Sequence, residues 1–185
     1  MAVSVSAPSW SAEVASADQQ CTAAINRSGA QTVSGIASLR SATEEDAGAI
    51  RSLTREAYAK WVPIIGREPK PMTADYADAV RKHRIDLLNL DGTLAALIEM
   101  IPGADHLLIE NVAVAPAFQG RGLGRKLMAH AEQVAVSLGH PEIRLYTNKL
   151  FAGNVRLYQR LGYRIDREEE FWGGTTVYMS KPVQG

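Results

Sequence analysis

One cysteine, Cys21, stands in 185 residues, so the chain forms no internal disulfide, which matches a reducing compartment. Neither sign of charge is in excess: 20 Lys and Arg balance 20 Asp and Glu. No global field therefore draws the protein to nucleic acid or to an anionic membrane. No apolar run approaches the roughly 20 residues that span a bilayer. The first residues, Met1 to Ser6, hold neither a basic segment nor a continuous apolar one, so no secretory leader is expected. These absences argue against disulfide-framework, nucleic-acid-binding and membrane-spanning classes. A cytoplasmic protein is the expectation, and the length allows one domain with a full core.

Residues 1–36 are rich in Ala, Ser, Gln and Gly and show no sustained apolar period. They read as a mobile tail ahead of a domain over residues 37–185. A short strand is expected at Ile36–Arg40. Thr43 with Glu44, Glu45 and Asp46 predicts a capped helix start, and Ala47, Ile50, Leu53, Ala57, Tyr58 and Trp61 recur at helical spacing. Pro63 and Pro69-Lys70-Pro71 predict a loop, followed by a short helix over Ala74–Lys82. Asp91-Gly92 between two apolar runs is a hairpin signal. A strand over His106–Val114 comes next, then a helix with Leu123, Leu127, Ala131, Val134 and Leu138 on one face, stopped by Gly139 and Pro141. Strands are expected at Glu142–Thr147, Tyr163–Arg167 and Thr175–Ser180, with a helix over Asn154–Leu161. The order defines a mixed α/β layer domain.

The densest signal is Val112-Ala-Val-Ala-Pro-Ala-Phe-Gln-Gly-Arg-Gly-Leu-Gly-Arg125: a strand, a short connection, and a glycine-rich turn that opens a helix. Glycines let backbone approach a ligand, and the unpaired N–H groups of a first helical turn bind anions. A Walker-type loop would need a hydroxyl after its lysine, but Lys126 precedes Leu127. A dinucleotide fingerprint needs G-x-G-x-x-G directly after the strand and an acid at the end of the next one; neither is present.

Gln119-Gly-Arg-Gly-Leu-Gly124 is similar to the Q/R-x-x-G-x-G/A signature of the GCN5-related N-acetyltransferases (GNAT). Leu157-Tyr158-Gln-Arg-Leu-Gly162-Tyr163 resembles that family's late L-Y-x-x-x-G-F/Y segment. The resemblance covers about residues 37–181. It implies the acyl-CoA N-acyltransferase fold, a central mixed, mostly antiparallel sheet flanked by helices. It also implies acetyl-CoA as donor, no metal, direct transfer in a ternary complex, and a small-molecule or peptide amine as acceptor. Homodimers are a further expectation on the same basis.

In that frame the N–H groups from Gly120 through Arg121, Gly122, Leu123 and Gly124 to Arg125 cradle a pyrophosphate, with Gln119 in the signature and Lys126 adding charge. Val112, Ala113 and Val114 lie where the family's donor strand pairs with the pantetheine arm as an added strand. A bulge there frees an N–H to polarise the thioester carbonyl. An amine attacks only when neutral, so a base is needed. Glu110 is the candidate, on an otherwise apolar strand where alternation puts it on one face with Leu108 and Val112. His106-x-x-Ile109-Glu110-Asn111-Val112-Ala113-Val114 also looks similar to the donor strand of glucosamine-phosphate acetyltransferases, where the acid lies near the acceptor amine. Tyr158 matches the family's position for the acid that meets the leaving thiolate. Asn154, four residues earlier, shares its helix face. Many relatives carry a cofactor-binding Asn where this chain has Phe151, so Asn148 and Asn154 are both substitutes. Tyr58, Trp61, Met72, Tyr76, Glu99, Phe171 and Trp172 are candidates for an aromatic acceptor cleft. The alternative to an enzyme is a non-catalytic acyl-CoA sensor or scaffold.

Overall fold

A computed structural model describes residues 37–171 and 174–183. The tail expected over residues 1–36, with Cys21, and the candidate Trp172 lie outside the described residues. The chain runs through β1 (Ala37–Ser41), α1 (Ala47–Tyr58), α2 (Val62–Ile65), α3 (Lys70–Thr73), α4 (Tyr76–Lys82), β2 (Arg84–Leu90), β3 (Thr93–Pro102) and β4 (Leu107–Val114). It continues with α5 (Leu123–Ser137), β5 (Glu142–Asn148), α6 (Ala152–Arg160), β6 (Arg164–Phe171) and β7 (Gly174–Pro182). The strands form a sheet of order β1-β2-β3-β4-β5-β7-β6, antiparallel except where β4 meets β5.

Apolar periodicity decides which faces are covered. In α1 the buried residues are Ile50, Leu53, Thr54 and Ala57, a stripe that packs with Tyr76 and Ala79 of α4 against Ile85, Leu87, Leu97 and Ala113. On the opposite face Leu123, Leu127, Met128, Ala131 and Val134 of α5 pack on Ile98, Met100, Leu107, Ile109 and Ile143. Leu138 caps α5 and is 47% exposed, so the apolar face ends one turn earlier than its spacing predicts. Asp91 (φ 50°) and Gly92 (φ 77°) both take the left-handed region, the requirement of a two-residue hairpin turn that follows the strand twist.

The loop expected over the Pro63–Pro71 segment is confined to residues 66–69. Pro63 and Pro71 sit in the first turn of short helices, α2 and α3, where no N–H partner is lost and φ is already helical. Asp75 then caps α4, its Oδ1 accepting from the N–H groups of Ala77 at 3.0 Å and Asp78 at 3.3 Å. That cap sets the helix phase and turns Tyr76 fully inward.

Two irregularities in β4 make the site. Its pairing with β3 shifts register: Glu99 opposes Asn111 while Met100 opposes Ile109, leaving Glu110 as the extra, bulged residue. One extra residue inverts the alternation beyond it. Leu107 and Ile109 belong to the core under α5, and after the bulge the even residues Val112 and Val114 pack there while Ala113 faces α1. Glu110 and Val112 therefore do not share a face, contrary to simple alternation. The second irregularity is a parting of the sheet. β4 and β5 pair only over Leu107–Ile109 and Ile143–Leu145, whereas β5 stays paired to β7 from Glu142 to Asn148. From Glu110 and Tyr146 onward the strands diverge, and one edge of β4 has no ladder partner.

Candidate active site

The opening between β4 and β5 holds two adjoining cavities, of about 540 and 510 Å³. Tyr58, Val112, Asn154 and Tyr158 line both, so the two spaces meet between the end of α1, the strand β4 and the helix α6.

The second cavity runs along Val112–Val114 to the glycine turn and is lined by Gln119, Gly120, Gly122, Leu123, Gly124 and Arg125. Gly120 and Gly122 both hold φ 78°, and a Cβ on either would meet nothing within 4 Å. The turn is thus left-handed backbone facing open space, which suits a guest larger than a side chain. Gly122 is the N-cap of α5, and the first intrahelical bond of that turn runs from the Lys126 N–H to its carbonyl at 3.1 Å. The N–H groups before Lys126 are left for an anion. Leu123 contributes backbone alone, because its side chain is buried in the core. Gln119 anchors the turn: its Nε2 donates to the Val114 carbonyl at 2.9 Å, and its Oε1 accepts from Lys60 Nζ at 2.8 Å. Arg121 is exposed over the Phe118 ring and does not line the cavity.

The first cavity holds the bulged carboxylate. Glu110 Oε1 accepts from the Tyr146 hydroxyl at 2.6 Å and from Lys70 Nζ at 2.7 Å, and Lys70 also donates to the Tyr146 oxygen at 3.1 Å. Burial acts to lower the Lys70 pKa, but the bonds to Glu110 and Tyr146 outweigh it and raise it. Burial, then the bond to Glu110, pushes the Tyr146 phenol up to about 12. Beside this triad the Tyr58 hydroxyl donates to Asn111 Oδ1 at 2.9 Å, Asn111 Nδ2 donates to the Tyr76 oxygen at 3.2 Å, and Tyr76 donates to the Pro71 carbonyl at 2.9 Å. This chain fixes Tyr58 at the wall. It also explains why Tyr76, and Met72 close by, are core rather than cleft. Glu99 lies behind the wall, buried and bonded to His83 Nδ1 at 2.6 Å; burial raises its pKa and the histidine opposes that.

Tyr158 differs from the other tyrosines of the two cavities. Tyr58 and Tyr146 spend their hydroxyl protons on Asn111 and Glu110, and Tyr178 interacts with Arg167 and Glu169. The Tyr158 hydroxyl has no hydrogen-bond partner among the described residues, and burial alone pushes its phenol up to about 12. Of the two asparagines, Asn148 spends its Oδ1 on the Leu150 N–H at 2.9 Å and lines only the first cavity. Asn154 lines both. Trp61 stacks on Phe151 with ring centroids 4.2 Å apart; Trp61 faces the second cavity and Phe151 the first.

The site thus gathers Glu110, Tyr158, Val112–Val114, the glycine turn, Asn154, Tyr58 and Trp61, and leaves out Met72, Tyr76, Glu99 and Arg121. Lys70, Tyr146 and Asn111 were not singled out from sequence. Asn111 follows Glu110 directly and is the one with a signal, a polar pair inside an apolar strand. Among the described residues no group of three or more His, Cys, Asp or Glu is placed to hold a metal. No helix among them is long and apolar enough to cross a membrane.

The sheet parts beside a glycine turn, Tyr158 stands where the two cavities meet, and Glu110 lines the first of them. The family profile described as Acetyltransferase (GNAT) family matches residues 32–163, and the chain belongs to that family. Streptothricin acetyltransferase of Streptomyces lavendulae is 32% identical over 101 residues, 50% of this chain and 53% of that protein. The chain therefore matches about half the length of that curated relative. Among solved structures, the ribosomal-protein-S18-alanine N-acetyltransferase from Escherichia coli superposes with a TM-score of 0.69 at 20% identity, over 81% of this chain and 96% of that one. The PaiA N-acetyltransferase from Thermoplasma acidophilum, solved in complex with coenzyme A, gives 0.67 at 16% identity, over 80% and 99%. These structures share the fold.

Proposed function

We propose that this protein is an acetyl-CoA-dependent N-acetyltransferase that acetylates a small-molecule amine by direct transfer. The observation that carries the reading is the junction of the two cavities, where Tyr158 and Val112 stand between the glycine turn and the carboxylate of Glu110. A coenzyme fits the second cavity: left-handed glycines open onto space, unspent N–H groups begin α5, and the free edge of β4 offers an amide ladder to the pantetheine arm. Bound there, acetyl-CoA supplies the acetyl thioester. Glu110 accepts a proton from the acceptor nitrogen, and an N–H of the unpaired β4 edge polarises the carbonyl under attack. Tyr158 donates its hydroxyl proton to the departing sulfur, and Asn154 orients the arm. A small-molecule acceptor is supported by the size of the first cavity, about 540 Å³, and by the relative named for streptothricin.

Thermal unfolding with acetyl-CoA, CoA and NADPH tests the donor. Acetyl-CoA and CoA at about 100 times Kd raise stability by about 2.7 kcal/mol, and NADPH does not. No shift with either thioester or thiol returns the glycine segment to an ordinary turn.

A further inference from the structure

We infer that the acceptor is an amino-carboxylate, a small molecule whose reacting amine lies beside a carboxylate, as in a free amino acid. This rests on the acetyltransferase reading above and narrows it. Among the described residues the Arg, Lys, His, Asp and Glu side chains on the walls of the acceptor cavity are Arg67, Lys70 and Glu110. Two cations thus face one carboxylate. A simple alkylamine or a polyamine, entering as an ammonium, meets an excess of its own sign.

Arg67 has no ion pair or hydrogen bond among the described residues. The neighbouring carboxylate, Glu68, is taken by Arg55 at 2.7 Å. An unspent guanidinium at a cavity wall matches a carboxylate in bidentate geometry. Lys70 completes the arrangement. It is 71% exposed and reaches back into the cavity only through Glu110 and Tyr146. An acceptor ammonium arriving at Glu110 competes for the oxygen that Lys70 now holds. The acceptor's own carboxylate then gives Lys70 and Arg67 a new partner. The exchange ends with each charge beside one of opposite sign, the acceptor carboxylate being shared by Lys70 and Arg67, and that is available only to a molecule carrying both groups. Outside the walls, buried Glu99 is bonded to His83 Nδ1 at 2.6 Å, and Arg167 pairs with Glu169 at 2.7 Å. The apolar remainder, Ile65, Leu145 and Phe151, leaves room for an uncharged side chain.

Thiol release from acetyl-CoA is measured with a panel of free amino acids, their carboxamides and the matching decarboxylated amines. Amino acids exceed their carboxamides in kcat/KM by about tenfold or more, the equivalent of about 1.4 kcal/mol. Arg67→Gln brings that ratio towards one, and Arg67→Lys restores part of it; Arg67 is exposed, so neither change threatens folding. Carboxamides or amines turned over as well as the acids overturn the inference, as does a ratio that Arg67→Gln leaves intact. Stabilisation by acetyl-CoA with no thiol release from any amino acid also overturns it, while the donor reading survives. Absence of both stabilisation and turnover brings down the two together.

Discussion

Tyr158→Phe lowers kcat by about 10²–10³-fold, within the range of about 10²–10⁴ that a positioned general acid contributes, while coenzyme A still binds and stabilises the fold. The phenol oxygen makes no hydrogen bond among the described residues, so its removal breaks nothing in the ground state. The ring keeps its edge contact with Tyr163 at 6.0 Å between centroids. Stability should stay within about 0.5 kcal/mol of wild type. Loss of rate with intact folding and intact cofactor binding is then a statement about proton delivery. Burial holds the phenol up at about 12, so Tyr158 stays protonated through neutral and mildly alkaline pH. It adds no alkaline limb to the rate profile there, and in the variant the decline is uniform across that range. Steady-state kinetics with calorimetric CoA titration checks both halves. A variant as active as wild type removes Tyr158 from the chemistry and leaves protonation of the departing sulfur to another group or to water.

Glu110→Gln has the other large effect, a drop of about 10²–10³-fold in kcat with a change in the shape of the pH profile. Glutamine keeps the size and the acceptor oxygen for Tyr146 but takes no proton from an amine. Without a base the enzyme depends on acceptor already neutral in solution. The rate then rises by about tenfold per pH unit below the acceptor's own pKa, and high pH rescues the variant. The substitution also removes the counter-ion of Lys70. That side chain is 71% exposed, so water solvates the freed ammonium and little stability is lost. A stable variant with an unchanged pH profile and full activity assigns the proton to a different group, with Glu99 and His83 behind the wall the next to test.

The elements of this fold were legible because most of them follow a single periodicity. Ile50, Leu53 and Ala57 announce α1, Asp91-Gly92 announces its hairpin, and the glycine turn announces a cofactor end. The acceptor end was less legible for three physical reasons. A bulge is a count of residues against a partner strand, so nothing within Leu107–Val114 alone reveals that Glu110 is the extra one. The phase of α4 is set by the Asp75 cap, and a shift of one residue there decides whether Tyr76 faces core or cleft. Lys70 sits between two prolines that argue for a loop. It reaches Glu110 only because Pro71 accepts a helical first turn, bringing together residues 40 apart in the chain. Tyr146 looked like an ordinary strand residue. Its importance comes from the place where β5 leaves β4, which is a property of two strands and not of one.

That parting gives the protein a reporter of its own occupancy. Between Glu110 and Val114, the amide groups of β4 that do not point to β3 lack the ladder that protects amides elsewhere in the sheet. In the free protein they should trade hydrogen for deuterium far faster than their neighbours over Leu107–Ile109. On the proposed placement of the cofactor, a pantetheine arm laid along the edge would supply the missing acceptors and slow them. Exchange at these few positions, followed by mass spectrometry, would therefore register the arrival of a thioester in the absence of any acceptor and before any turnover.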